Sequence, residues 1–230
     1  MQKNISGHAP PGPDAPALPA KGQLSQNAHV EAAYARWAPV YDLAFAAVMG
    51  PGRRALAAAT GCGLVLDVGV GTGLELPMFD RKTRLVGIDL SLPMLRRARD
   101  RVRALSLSNV EGLAVMDATR LAFPASFFDA VVAPFVLTVV PDPLATLDEL
   151  LRVVKPGGEI ILVNHIGAEK GLIAHIEGWL GKRSAALGWR PEFPWPILGD
   201  WIATHPCCAL IERRKLPPLG LFTLARIKKL

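Results

Sequence analysis

Apolar residues recur every three or four positions at Val30, Tyr34, Trp37, Tyr41, Phe45 and Val48, the spacing that lines one face of a helix. Pro39 removes a backbone donor and disfavours helical geometry at Ala38, so a break is expected there. Gly50-Pro51-Gly52 is a second stop, ahead of a short Ala-rich helix through Ala59. The pattern then changes. Leu64–Val68, Leu85–Ile88, Val110–Val115, Ala130–Val132 and Ile160–Val163 are short β-branched apolar runs suited to strands buried on both faces. Leu76–Phe79, Pro93–Leu105 and Leu144–Val153 carry helical spacing between them. This alternation predicts a parallel sheet with right-handed crossovers. Lys155-Pro-Gly-Gly158 reads as a turn, and Ala209–Lys215 with Phe222–Lys228 reads as a terminal antiparallel hairpin around Pro217-Pro218-Leu219-Gly220.

Two segments stand apart from this pattern. Residues 1–24 hold five of the twenty prolines and few large apolar groups, so a disordered tail is expected, with one domain over 25–230. Within that domain, residues 27–59 are expected to form a helical lid. Residues 167–206 form an insertion holding four of the five tryptophans, beginning with an amphipathic helix (Leu172, Ile173, Ile176, Trp179, Leu180).

Composition narrows the class. At 230 residues, 50% hydrophobic and 20% charged, the chain can bury a substantial core, which excludes disordered, collagenous and coiled-coil classes. The formal charge of +6 is uneven: residues 81–103 carry eight bases against two acids, and residues 207–230 six against one. Such patches favour an anionic partner or form a solvated helix face. Cys62, Cys207 and Cys208 have neither disulfide nor metal-ligand spacing, which fits a reducing, cytoplasmic setting. No apolar run approaches the roughly 20 residues that span a bilayer, so membrane contact is expected to be peripheral.

The chemistry concentrates in Leu64-Val-Leu-Asp-Val-Gly-Val-Gly-Thr-Gly73. An apolar strand runs into Gly69, Gly71 and Gly73, which allow a tight turn and close approach of a ligand to the backbone; a helix is expected to follow. The next strand ends at Asp89, placed to accept both hydroxyls of a ribose. A dinucleotide fingerprint would carry its third glycine one place later, where Leu74 stands. Asp67 and Glu75 would repel a pyrophosphate and suit an ammonium-bearing ligand. That favours S-adenosylmethionine over a nicotinamide cofactor.

Asp67-Val-Gly-Val-Gly-Thr-Gly73, Gly87-Ile-Asp89, Met116-Asp-Ala118, Phe128-Asp-Ala130 and Lys155-Pro-Gly-Gly158 resemble, in order, the motifs of class I S-adenosylmethionine-dependent methyltransferases. The resemblance implies an α/β fold: a doubly wound, seven-stranded, mainly parallel sheet with one antiparallel strand. It also implies that Gly69, Gly71 and Gly73 line the methionine end of the cofactor and that Asp89 takes the ribose. Leu90 and Met94 would flank the adenine, Asp117 and Ala118 would bind its edge, and Pro134 and Phe135 would face the sulfonium. S-adenosylhomocysteine would be the product.

Tyr34-Ala-Arg-Trp-Ala-Pro-Val-Tyr-Asp42, Asn164-His165 and Leu187-Gly-Trp-Arg-Pro-Glu-Phe193 are similar to bacterial soluble phosphatidylethanolamine N-methyltransferases. That resemblance implies up to three methyl transfers to a phospholipid amine. Tyr34 joins the expected cofactor residues. Tyr41 and His165 are the catalytic candidates, since a protonated amine of pKa about 10 must lose a proton before it attacks. Trp37, Phe135, Arg190 and Trp195 are the substrate-binding candidates, aromatic faces being suited to an ammonium headgroup. No metal is called for. The expected partners are the phospholipid and an anionic membrane surface, approached peripherally from the cytoplasmic side. Nucleic acid is not expected, and oligomeric state stays open. The alternatives are C- or O-methylation of a quinone precursor or other small molecule, and a non-catalytic cofactor- or membrane-binding module.

Overall fold

The computed structural model describes residues 49–165, 193–217 and 220–230. The expected tail, the lid up to residue 48 and most of the insertion lie outside them. Seven strands form one sheet: β1 (Leu64–Val68), β2 (Arg84–Asp89), β3 (Val110–Val115), β4 (Phe128–Pro134), β5 (Val154–His165), β6 (Cys208–Leu216) and β7 (Phe222–Lys229). Their order is β3-β2-β1-β4-β5-β7-β6, parallel from β3 to β5, with β7 antiparallel to both neighbours. This is the expected doubly wound α/β sheet with one reversed strand.

Burial follows the order. The central strands β1 and β4 are buried along almost their whole length, whereas the edge strands β3 and β6 are only partly covered. Two apolar clusters lie on the sheet, one built around Leu66, Phe128, Leu147 and Leu162, the other around Leu56, Val65, Leu85 and Ile161. Residues 49–59 form helix α1, with Leu56 and Ala57 in the second cluster. Helix α2 (Leu92–Ala104) starts at Ser91, whose hydroxyl accepts from the Met94 amide, and buries Met94, Leu95 and Ala98. Helix α3 (Pro143–Val153) starts at Asp142, which accepts from Leu144 and Ala145 and sets Pro143 at the first turn. Helix α4 (Trp195–Thr204) buries Leu198 and Trp201 against the first cluster.

Two local expectations change. The helix expected over Leu76–Phe79 is a single 3-10 turn, Leu76–Met78, with Pro77 unable to supply a helical donor. Lys155-Pro-Gly-Gly158 is the irregular start of β5 and not a turn, and the β4–β5 register shifts between Phe128 and Ala130. A Cβ on Gly158 would lie 2.5 Å from the Asp129 carbonyl, so the strands meet there only through glycine. The carboxylate of Asp129 accepts from the Leu64 amide (2.7 Å) and from Lys155 Nζ (2.6 Å), tying β4 to β1 and β5.

Candidate functional site

Sequence order reverses between β1 and β4, and open α/β sheets leave a crevice at the carboxyl ends of the strands at such a point. A cleft of about 250 Å³ lies there. Its walls come from the loops after β1 (Gly69–Thr72), β2 (Asp89–Ser91), β3 (Met116–Ala118) and β4 (Phe135–Pro141), closed by Arg53 of α1 and Glu75.

The three glycines of the first loop have different surroundings. All have positive φ, at 73° for Gly69, 52° for Gly71 and 73° for Gly73. A Cβ on Gly69 would lie 2.4 Å from Val136 Cγ2, while one on Gly71 would meet nothing nearer than 3.9 Å. Gly69 and Gly71 line the cleft. Gly73 does not: a Cβ there would press on Leu76 (2.8 Å) and Ala98 (3.2 Å), so this glycine seats the loop on α2 and leaves the ligand-facing wall to the other two.

Asp89 sits at the tip of β2, as expected. Its two oxygens accept from the amides of Gly71 and Ser91, both at 2.8 Å, so the carboxylate also clips the glycine loop in place. Burial raises its pKa, against the lowering effect of those amides. Leu90 stands half exposed at the rim and Met94 is buried in the floor. Asp117 and Ala118 line the opposite wall, and Asp117 Oδ1 accepts from the amide and hydroxyl of Thr119, both at 2.8 Å. Pro134 and Phe135 also line the cleft. Phe135 has φ 61°, unusual for a bulky residue, and its ring is held by the edge of Phe222 at 5.1 Å and by the Arg53 guanidinium at 5.6 Å.

Three side chains at the inner end of the cleft are ionisable and buried. Arg53 Nε lies 3.1 Å from Glu75 Oε2, with side-chain exposures of 9% and 3%. Asp67, at 0% exposure, lies behind them in β1. Arg53 Nε and Nη1, both Asp67 oxygens and Glu75 Oε1 are buried without a hydrogen-bond partner among the described residues. Burial, reinforced by the Glu75 charge, raises the Asp67 pKa well above its ordinary value; burial also raises that of Glu75. Unsatisfied buried groups beside an open cleft suit a ligand bearing both a cation and an anion, such as the amino-acid end of S-adenosylmethionine. The glycine cradle and Asp89 likewise fit its ribose.

The remaining candidates fall elsewhere. His165, at the end of β5, does not line the cleft; it lies behind Phe222, their ring centroids 6.3 Å apart. Its Nδ1 lies 2.7 Å from the Leu221 carbonyl, which can only accept, so the hydrogen sits on Nδ1 and Nε2 is the basic nitrogen of the neutral ring. Trp195, expected to bind substrate, is also off the cleft: the Arg213 guanidinium covers its ring at 3.7 Å, a contact between α4 and β6. Trp201 is core, its Nε1 donating to Asp148 (2.8 Å). Tyr34, Trp37, Tyr41 and Arg190 lie outside the described residues. Sequence reasoning missed Arg53. Its signal is an arginine sharing the apolar face of a short helix with Met49, Leu56 and Ala57, at spacings of three and four.

Residues 66–162 match the methyltransferase domain family. A phosphatidylethanolamine N-methyltransferase from Cereibacter sphaeroides is 40% identical over 202 residues, covering 87% of this chain and 97% of the relative. A ubiquinone/menaquinone biosynthesis C-methyltransferase from Cupriavidus metallidurans is 33% identical over 153 residues, covering 62% and 60%. Among solved structures, an S-adenosylmethionine-dependent methyltransferase from Thermotoga maritima, a possible histamine N-methyltransferase, superposes with a TM-score of 0.67 at 19% identity over 86% of this chain and 99% of that one. The geranyl diphosphate C-methyltransferase of Streptomyces coelicolor, in complex with S-adenosyl-L-homocysteine, gives 0.66 at 15% identity over 79% and 78%. At these identities the structural likenesses establish the fold.

Proposed function

The chain belongs to the class I S-adenosylmethionine-dependent methyltransferases, in the family of the Cereibacter enzyme, and from that premise we propose that it methylates the amine of phosphatidylethanolamine. The products are the methylated intermediates on the way to phosphatidylcholine. The observation that carries this reading is the span of the match: 97% of the phosphatidylethanolamine enzyme is covered, against 60% of the quinone enzyme. Similarity therefore extends beyond the cofactor-binding core into the parts that choose the acceptor.

When bound, S-adenosylmethionine supplies an electrophilic methyl on its sulfonium and leaves as S-adenosylhomocysteine. Gly69 and Gly71 would bring the backbone against its methionine end, and Asp89 would accept from the ribose hydroxyls. Leu90 and Met94 would hold the adenine, with Asp117 and Ala118 beside it. Pro134 and the clamped ring of Phe135 would wall the reacting end against water. The acceptor amine is protonated at neutral pH and must shed that proton before its lone pair attacks. Tyr41 takes or relays it, while Trp37, Arg190 and Phe135 hold the headgroup. His165, bonded to the Leu221 carbonyl and packed against Phe222, acts through the Phe222 ring that braces Phe135, and so positions the wall.

The lipid acceptor calls for contact with a membrane, and a peripheral approach to an anionic surface is part of this proposal. No helix among the described residues is long and apolar enough to cross a membrane. The decisive experiment supplies labelled S-adenosylmethionine with phosphatidylethanolamine vesicles, a demethylated quinone, RNA, or no acceptor. Label in mono- and dimethylated phosphatidylethanolamine is expected; label only in the quinone would overturn the reading. Tyr41→Phe should keep cofactor binding and slow turnover. His165→Asn, with an amide that reaches the Leu221 carbonyl, should retain turnover that His165→Ala loses; equal losses would make the imidazole itself the proton acceptor.

A further inference from the structure

The sequence suggests a helix stop at Gly50-Pro51-Gly52, yet α1 runs from residue 49 through all three. Gly52 is buried in that helix and has no positive φ. Its backbone therefore does not call for glycine, and alanine is the better helix former. Its neighbours do call for it. A Cβ there would stand 3.0 Å from Phe135 Cζ and 3.0 Å from Val163 Cγ1. Val163 has no room to yield: it is fully buried in β5, paired with Pro134 of β4 and Leu224 of β7. The ring of Phe135 can yield, because that residue is only half-buried. Its amide donates to the Val163 carbonyl (2.6 Å), and its ring meets the Phe222 ring at 5.1 Å and the Arg53 guanidinium at 5.6 Å. The side left open is the cleft, which Phe135 lines and Gly52 does not.

We infer that Gly52 is a specificity-determining position: the space it leaves behind Phe135 lets the ring stand back far enough for an amine that already carries methyl groups. This deepens the phospholipid reading and rests on it. In each transfer the amine, having lost one proton to solvent, forms a bond from its lone pair to the methyl carbon. The carbon–sulfur bond breaks at the same time, and sulfur keeps its electron pair. Each turnover thus replaces a hydrogen on nitrogen by a methyl, and the same wall must fit a wider acceptor in the next. A Cβ at position 52 would press the Phe135 ring towards the cleft by a few tenths of an ångström. An amine with hydrogens to turn towards the ring tolerates that advance, and a dimethylated amine does not. A misplacement of about 1 Å costs about a hundredfold in rate, so a few tenths is a several-fold effect on the widest acceptor. Gly52 touches no reactant and is a positioning residue acting through Phe135.

The test uses the full chain with labelled S-adenosylmethionine and vesicles carrying phosphatidylethanolamine, its monomethyl form or its dimethyl form, with kcat and KM taken for each. Gly52→Ala should lose about twofold or less in kcat/KM on phosphatidylethanolamine and about five- to tenfold on the most methylated lipid the parent accepts, chiefly in kcat. Its S-adenosylhomocysteine affinity should stay near the parent's, which also reports folding. Adding Phe135→Leu to Gly52→Ala, which shortens the side chain that is pressed forward, should return the ratio between those two lipids towards the parent's. Phe135→Leu alone should shift the ratio further towards the methylated lipid. Gly50→Ala, whose Cβ would meet only the end of the Arg54 side chain at 3.4 Å, should keep the parent's ratio. Equal losses on every lipid, the same selective loss in Gly50→Ala, or a parent that methylates phosphatidylethanolamine alone overturns the inference. If Gly52→Ala does not fold, an unchanged ratio in Phe135→Leu overturns it. A parent that methylates none of the three lipids would instead strike at the phospholipid reading, and this inference falls with it.

Discussion

Replacing each loop glycine by alanine should separate three jobs that look identical in the sequence. Each sits at positive φ, where a Cβ costs about 1 kcal/mol or somewhat more. At Gly71 that is the whole effect on the fold, since the nearest atom to the new Cβ is 3.9 Å away. At Gly69 the Cβ would stand 2.4 Å from Val136, and at Gly73 it would stand 2.8 Å from Leu76 and 3.2 Å from Ala98. Overpacking of this kind adds about 1–3 kcal/mol, for totals of about 2–4 kcal/mol. With a urea slope of about 2–3 kcal/mol/M, the midpoint should fall by about 0.4 M for Gly71→Ala and about 1–2 M for the other two. Cofactor binding should rank differently. The Gly71 methyl projects into open space in a cleft wall, so its S-adenosylhomocysteine affinity should drop about tenfold or more. Gly73→Ala, where folded, should bind nearly as the parent does, because that position does not line the cleft. Urea melts by circular dichroism, with calorimetric titration in the native range, provide both readouts. A Gly71→Ala protein as destabilised as Gly73→Ala, or a folded Gly73→Ala protein that has lost binding equally, would refute this division.

The buried acids set a pH signature on the cofactor-free fold. Burial holds the pKa values of Asp67 and Asp89 above 3.8, so the folded state keeps protons that the unfolded chain has released. Stability should fall as pH rises from about 3.8 through the folded values, then level; Asp67→Asn should flatten the fall in urea melts taken across that range. Trp201→Phe removes the bond to Asp148 and should cost about 1 kcal/mol in urea while leaving S-adenosylhomocysteine affinity unchanged. A change in affinity would return that tryptophan to the ligand's surroundings. Arg226 bridges Glu159 of β5 (2.7 Å) and Glu212 of β6 (3.3 Å) across β7, so Arg226→Met should cost about 1–2 kcal/mol. Half of that loss or less should remain at high salt, the partners being partly exposed.

The sequence determined the architecture and most of the residues that line the cleft. Strand and helix positions follow from periodicity, because apolar spacing of two or four commits a segment to one partner face whatever lies opposite. The glycine loop, Asp89 and the residues after β3 and β4 are local to strand ends, and an open α/β sheet gathers strand ends at one edge, so Gly69, Gly71, Asp89, Leu90, Met94, Asp117, Ala118, Pro134 and Phe135 meet as read. Where the outcome hinged on which atoms approach from another element, the sequence was silent. Gly73 and Gly71 are alike in one dimension, and the packing of Leu76 and Ala98 against Gly73 separates them. Trp195 reads as a headgroup or membrane aromatic until Arg213 covers its ring, and Lys155-Pro-Gly-Gly158 reads as a turn until Asp129 draws it into a strand. Arg53 is the sharpest case. A charge on the apolar face of a short helix has no local explanation; its meaning lies in Glu75 and Asp67, which reach it through the fold alone, where all three side chains are buried.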